Sequence, residues 1–185
     1  MESQGNYDYI IGSLHFFEVG GQFIDVDHTA KKQIDAANKY FGGDMVLLAC
    51  NYYELLAKIP QKFKVDIVGH FDLVTKFNEG DKLFNTSDKR YVRAAERALE
   101  ALVPTGAVFE INTGAISRGY RTEPYPSEYF LNLIREMGGS VTFSSDAHNA
   151  KNIFFGFDDA IQMAKKAGFK SLKKLSKNGF VDEEL

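Results

Sequence analysis

Short apolar runs alternate along this chain with segments of helical periodicity. The apolar runs predict β-strands at residues 7–14, 65–68, 107–112 and 140–144. Apolar residues at helical spacing predict α-helices at residues 29–40, 44–59, 87–102, 128–137 and 158–167. Gly42-Gly43 separates the first two helices, and Pro60 is expected to end the second. The pattern leaves a loop rich in glycine and acidic residues at 18–27, and a short strand or turn near Phe169 before a polar tail.

This alternation predicts the fold class. Continuously apolar strands between helices are typical of parallel βαβ units, so we expect an α/β protein. The four or five strand–helix units that the pattern contains fall short of the roughly eight units of a closed barrel. We therefore expect a partial, distorted TIM-like β/α barrel that forms a single domain over residues 1–185. The carboxyl ends of its strands would meet on one side, where sites form in such folds.

Composition and charge narrow the functional classes. The net charge of −3 and the pI near 5.8 argue against a nucleic-acid-binding protein, because such proteins usually carry a basic excess. The single cysteine, Cys50, excludes an internal disulfide, and its apolar surroundings predict a core thiol. No apolar stretch reaches the roughly 20 residues of a membrane span, and the polar N-terminus has no signal-peptide core. We expect a cytoplasmic protein that binds neither nucleic acid nor membrane.

The most informative chemistry follows the strand at 140–144, where the chain continues Ser145-Asp146-Ala147-His148. Residues two apart in an extended chain project to the same side, so Asp146 and His148 would point together. A carboxylate oxygen and an imidazole nitrogen are ligands for zinc and other transition metals. His15 and His70 also end apolar runs. Because parallel strands end on one side of the fold, the sequence predicts a metal site built from all four side chains.

Each of these residues also has a purely structural interpretation. Asp146 would cap a loop, with His148 incidental, and His15 and His70 would be hydrogen-bonded core histidines. Their shared position at strand ends favours the site. Asp72, two residues past His70, is either an acceptor that orients an imidazole or a loop cap.

Five segments of the chain closely resemble successive motifs of PHP-domain proteins. These segments are Asp-Tyr-Ile-Ile-Gly-Ser-Leu-His-Phe at 8–16, Asp-Ile-Val-Gly-His-Phe-Asp-Leu at 66–73, Phe-Glu-Ile-Asn-Thr at 109–113, Tyr-Pro-Ser at 125–127 and Ser-Ser-Asp-Ala-His at 144–148. Within that superfamily they look most like the histidinol-phosphatase branch. The resemblance extends over nearly the whole chain, and five ordered motifs are far more specific than any single one.

The resemblance implies a distorted β/α barrel that holds up to three divalent metal ions (zinc, manganese or iron) and hydrolyses a phosphate monoester. By motif match, His15 and His70 resemble ligands of one metal. Asp146 and His148 resemble ligands of the two other metals. The substrate implied is a small phosphorylated molecule.

An arginine in the loop after the Phe-Glu-Ile-Asn-Thr strand resembles the position that binds phosphate in the family. The loop carries both Arg118 and Arg121, and the motif match leaves the choice between them open. The planar fork of a guanidinium would stabilise charge on phosphoryl oxygens. A solvated loop charge is the structural alternative for each arginine.

The chain also departs from the family pattern. The family opens with a His-x-His motif and has further histidine and glutamate ligands upstream of the motif that ends in His15, and this sequence has no counterpart. The chain therefore resembles the C-terminal two-thirds of the family barrel, without its first strands. Because zinc sites usually have three or four protein ligands, we expect fewer ions than in the family and impaired activity.

Three functional hypotheses remain. The leading one is a histidinol-phosphatase-like hydrolase that converts L-histidinol phosphate and water into L-histidinol and phosphate in histidine biosynthesis. The second is another PHP phosphoesterase that acts on nucleotides or nucleic-acid ends. The acidic net charge of the chain argues against this hypothesis. The third is a non-catalytic metal-binding remnant, or a half-barrel that pairs with a separate N-terminal half or with itself through exposed strand edges.

Overall fold

The computed structural model describes residues 7–185. Its strands are β1 (Ile11–Gly12), β2 (Phe16–Val19), β3 (Gln22–Asp25), β4 (Ile67–Val68), β5 (Val108–Asn112), β6 (Ser140–Ser144), β7 (Ser171–Ser176) and β8 (Gly179–Glu184). Its α-helices are α1 (Ala30–Tyr40), α2 (Met45–Leu56), α3 (Ile59–Lys62), α4 (Lys89–Leu102), α5 (Gly114–Ser117), α6 (Glu128–Glu136) and α7 (Phe157–Lys166). Within this part of the chain, no helix has the length and apolar character needed to cross a lipid bilayer.

A four-stranded parallel sheet organises the molecule, in the order β1-β4-β5-β6. Every residue of β5 is buried, as expected for a strand with neighbours on both edges and helices outside. β5 pairs with β6 over five residues, whereas β1 and β4 pair over only two. The predicted α/β fold is confirmed, and the sheet stays open over residues 7–185.

The core lies between the sheet and the helices α2, α4 and α6. Small side chains at Ala94, Ala95 and Ala98 are buried and let α4 pack closely against α2. Tyr53 of α2 is fully buried, and its hydroxyl lies 3.1 Å from the hydroxyl of Tyr91 on α4. The pair satisfies its polar atoms within an otherwise apolar interior, as a buried phenol requires.

Two hairpins replace segments that the sequence pattern left irregular. The predicted loop at 18–27 is largely the antiparallel pair β2–β3, in which Phe17 and Ile24 pair across the strands and are both buried. Gly20 and Gly21 form the turn with positive φ angles, which glycine adopts without steric cost. The polar tail forms the second hairpin, β7–β8, where Lys173 pairs with Asp182 at 2.9 Å. The loop prediction was wrong because apolar alternation in that segment is weak, and the tail, predicted only to be polar, forms strands for which the sequence shows no clear pattern.

Other predicted boundaries also shift. The strand predicted at 7–14 shortens to β1, because β1 is an edge strand whose neighbour, β4, is itself two residues long. The helix predicted at 44–59 ends at Leu56, and Pro60 lies in the first turn of the short α3. Proline is tolerated there because the first amides of a helix have no intrahelical acceptor. The strand predicted at 140–144 is confirmed at both ends.

Adjacent leucines on α2 provide a matched test of the packing. Leu48 is fully buried, whereas Leu47 is 48% exposed. We expect Leu48→Ala to lower the free energy of unfolding by about 2–5 kcal/mol, because it leaves a cavity in the core. The control Leu47→Ala should change it by less than about 0.5 kcal/mol. Urea denaturation measures both values, and equal effects would contradict this placement of α2.

Candidate functional site

A cavity of about 1210 Å³ opens at the carboxyl ends of the parallel strands. Five of the six side chains predicted as metal ligands or phosphate-binding arginines line it, namely His15, His70, Arg118, Asp146 and His148. These residues come from segments up to 133 positions apart, and the sheet topology brings them to one rim. This is the side on which α/β folds place their ligand sites.

His15 and His70 are neighbours in this cavity. Their ring centroids lie 4.8 Å apart with the planes at 80°. His70 follows β4 in a backbone conformation with φ of +24°, and its amide donates a 2.8 Å hydrogen bond to Oε2 of Glu110. Its Nδ1 is buried and has no hydrogen-bond partner among residues 7–185. Burial lowers the pKa of His70, so the neutral imidazole that can bind a metal is favoured.

A carboxylate orients His15. Oδ2 of Asp27 lies 3.3 Å from Nδ1 of His15, and this hydrogen bond raises the pKa of the imidazole. Burial acts to raise the pKa of Asp27, but His15 and Lys76 outweigh it and lower the value to about 2. Asp27 is therefore ionised at neutral pH, and by accepting from Nδ1 it leaves Nε2 of His15 available as a ligand atom.

Arg118 holds Asp146 by two hydrogen bonds. Its Nη2 lies 2.9 Å from Oδ2 of Asp146, and its Nη1 donates to the backbone carbonyl of the same residue at 2.8 Å. Oδ1 of Asp146 faces Nε2 of His148 at 3.5 Å. Gly114 makes this close approach possible, because an added Cβ would lie 2.9 Å from both Nη1 of Arg118 and Cβ of Asp146.

Arg121 lies outside this cavity. Its guanidinium stacks over the ring of Tyr125 at 4.8 Å, and its Nε donates to the backbone carbonyl of Glu123. Its Nη1 contacts the hydroxyl of Thr75. Within residues 7–185, no hydrogen bond joins Asp72 to either imidazole, and its Oδ2 accepts the amide of Ser127 at 3.1 Å. Of the two interpretations of Asp72, the structure therefore favours the loop cap.

Two acidic side chains in the cavity, one buried and one partly buried, were not among the site residues predicted from the sequence. Glu110 accepts from the amide of His70 and, at 3.0 Å, from Nδ2 of Asn112. A charged residue inside the otherwise apolar run 107–111 was an available signal for it. Asp27 offered no such signal, because it reaches His15 only through the fold of the β2–β3 hairpin.

The donor atoms in the cavity are of the chemical types that bind divalent cations. Imidazole nitrogens and carboxylate oxygens are suitable ligands, and the unpartnered Nδ1 of His70 is a buried acceptor that a cation would satisfy. The number of ligand side chains that are grouped together is smaller than a complete metal site requires. Across residues 7–185, no three histidine, cysteine, aspartate or glutamate side chains are grouped closely enough to hold one ion.

Comparison with known proteins identifies the family. The PHP domain family matches residues 1–114. A Schizosaccharomyces pombe protein named "Probable histidinol-phosphatase" is 28% identical over 96% of this chain and 56% of its own length. The histidinol-phosphatase of Bacillus subtilis is 26% identical over 85% of this chain and 59% of its own length. The chain thus spans little more than half the length of these relatives.

A solved structure shares the fold. The crystal structure of histidinol phosphate phosphatase from Lactococcus lactis subsp. lactis, complexed with zinc, L-histidinol and phosphate, aligns with a TM-score of 0.66 at 23% identity. The alignment covers 96% of this chain and 63% of that protein. The family match over residues 1–114 shows that the chain belongs to the PHP domain family, and its curated relatives place its similarity in the histidinol-phosphatase branch.

Proposed function

We propose that this chain is the metal-dependent part of a phosphatase that hydrolyses L-histidinol phosphate to L-histidinol and phosphate, a reaction of histidine biosynthesis. The observation that carries the proposal is the shared cavity of His15, His70, Asp146, His148 and Arg118. Relatives named for this activity support the choice of substrate. The bound L-histidinol and phosphate of the Lactococcus protein support it further.

The proposed ligands of divalent ions are His15, His70, Asp146 and His148. Zinc is the first candidate, because the Lactococcus protein binds it, and manganese and iron accept the same donors. Divalent ions bound there would ionise water near neutral pH and neutralise charge on the phosphate. Since hydrolysis of phosphate monoesters is among the slowest uncatalysed reactions, that contribution is essential. With this incomplete ligand set we expect fewer than three ions per chain and low activity.

Arg118 is our proposed phosphate-binding residue. It lies in the same cavity as the histidines, and two of its N–H groups are used by Asp146. A guanidinium has five N–H donors, so three remain for phosphoryl oxygens. In this arrangement Arg118 would orient Asp146 and at the same time balance negative charge on the substrate.

Phosphate release from L-histidinol phosphate tests the proposal. The purified chain should release phosphate when Zn²⁺, Mn²⁺ or Fe²⁺ is present and lose this activity after treatment with a chelator. A panel with nucleoside monophosphates separates it from the alternative of a nucleotide-specific PHP phosphoesterase. No release from any of these substrates with any of the ions would contradict the enzyme hypothesis.

A second proposal concerns the open edge of the sheet. We propose that a polypeptide supplying the remaining β/α units of the barrel pairs with β1. Tyr9 and Ile11 are 40% and 45% exposed, and with Phe154 and Phe180 they form the apolar part of a groove of about 300 Å³ on the sheet. The relatives and the solved structure extend well beyond the part that this chain covers. An unpaired strand edge readily accepts another strand.

Sizing and metal analysis test this pairing together. Adding the part of the Lactococcus protein that this chain does not cover should give a complex with two or three tightly held ions per chain. A stable homodimer of the chain with the same metal content would show that the partner is a second copy of the chain and not a separate polypeptide. A monomer whose size and metal content do not change would contradict the proposal.

We expect Asp27→Asn to weaken zinc binding by about 10–100-fold, because the carboxylate that orients His15 is lost. The variant keeps the size and shape of the side chain, so the fold should be retained. Competition with a chromophoric chelator measures the affinity. Asp35→Asn is the matched control, since Asp35 is exposed and forms an ion pair with Lys31 on α1. Equal affinities of the two variants would show that Asp27 has no part in the site.

A further inference from the structure

A second cavity, separate from the candidate site, lies beside the start of α4. Its volume is about 860 Å³, within the range of sites for small molecules. The two cavities share no lining residue. The segment 72–81, the segment 121–123 and the beginning of α6 form its walls.

The charges around this second cavity are mainly negative. Among the described residues, Arg121 is the one cationic side chain that lines the cavity; Thr75 and the carbonyl of Glu123 accept two of its five N–H groups, and its face stacks on Tyr125. The acidic side chains that line the cavity are Asp72, Glu79, Asp81, Glu123 and Glu128. An anionic ligand would therefore be repelled, whereas a cation would be attracted.

Asp72 points to a ligand independently of this charge balance. It is 1% exposed, and Oδ2 accepts the amide of Ser127. Its Oδ1 is buried without a hydrogen-bond partner in the described part of the chain, although the residue lines the cavity. A buried carboxylate oxygen without a partner is costly, and a donor group bound in the cavity would remove that cost.

Aromatic side chains form the apolar part of the wall. Tyr91 and Phe130 are buried, and Tyr129 is half exposed at the mouth with its hydroxyl donating to Glu96 at 2.9 Å. Aromatic faces attract organic cations and bury their apolar parts. The combination of a buried carboxylate and aromatic walls suits an amine carried on an apolar body.

We propose that this second cavity binds a small organic cation, a primary amine on an aromatic or aliphatic body, with Asp72 as its anionic partner. The site is distinct from the metal-ligand cavity, and the proposal does not depend on the phosphatase activity. Its ammonium group would donate to Oδ1 of Asp72, and its body would pack against Tyr91 and Phe130.

Calorimetry with a matched pair of probes tests this proposal on chelator-treated full chain. Tyramine carries the ammonium group, and tyrosol replaces it by a hydroxyl on the same body. We expect tyramine to bind with a Kd below about 1 mM and tyrosol to bind at least about tenfold more weakly. Equal binding of the two probes, or no binding of tyramine up to about 10 mM, would overturn the proposal.

Variants of the cavity complete the test. Asp72→Asn should weaken tyramine binding at least about tenfold, and Glu100→Gln on the exposed part of α4 should leave it unchanged. If Asp72→Asn does not fold, Glu123→Lys decides, because it places a positive charge at the exposed rim and should weaken binding at least about fivefold. Binding that neither variant alters would contradict the proposed site.

Discussion

His70→Ala is expected to remove most of the bound divalent metal and to lower the rate of phosphate release by about 1,000-fold. Metal ions contribute several kcal/mol to phosphoryl transfer, and about 1.4 kcal/mol corresponds to a factor of ten in rate. His70 is central because it is buried beside His15 and its Nδ1 has no hydrogen-bond partner in the part of the chain that the structure describes. Metal content by mass spectrometry and phosphate release by a colorimetric assay measure the two effects.

His70→Gln separates the loss of a ligand from a loss of packing. Glutamine fills much of the space of histidine but binds transition metals poorly, so both variants should lose metal to a similar degree. Adding Zn²⁺ after treatment with a chelator should restore activity to the parent chain and to neither variant. A folded His70→Gln variant with the metal content of the parent chain would exclude His70 as a ligand.

Arg118→Ala is expected to lower kcat/KM by about 100–1,000-fold, the usual cost of removing a charged donor that stabilises a transition state. The alanine also releases Asp146, which Arg118 holds through Oδ2 and the backbone carbonyl. Arg118→Lys should recover only part of the loss, since lysine cannot form the two-pronged contact. Steady-state kinetics with L-histidinol phosphate measure these effects.

Arg121→Ala distinguishes the two arginines. Arg121 lies in the wall of the second cavity and stacks on Tyr125, so its loss should affect stability more than kcat/KM. Arg93→Ala, at an exposed position of α4, serves as a control for the assay. A larger kinetic loss for Arg121→Ala than for Arg118→Ala would reverse our assignment of the phosphate-binding residue.

The local sequence pattern was sufficient to predict the bounds of an element where that element is both regular and well buried. The strand β6 and the helices α1, α4 and α6 lie within two residues of their predicted bounds. In these segments apolar spacing and turn residues favour the same structure, so tertiary contacts only reinforce it. The pattern was insufficient for the hairpins β2–β3 and β7–β8. There, pairing between the strands decides the structure, and single side chains such as Phe17 and Ile24 supply the buried face.

The sequence by itself determined the parallel α/β fold and the side chains that end its strands. Since parallel strands all end on one side, His15, His70, Asp146 and His148 were predicted to share a pocket, and they line one cavity. Only the tertiary structure decided that Arg118 rather than Arg121 faces this cavity, and that Asp27 orients His15. The physical reason is that the parallel direction of the strands follows from the alternation of apolar strands with helices along the chain. The partner of a loop side chain instead depends on contacts between segments far apart in the chain.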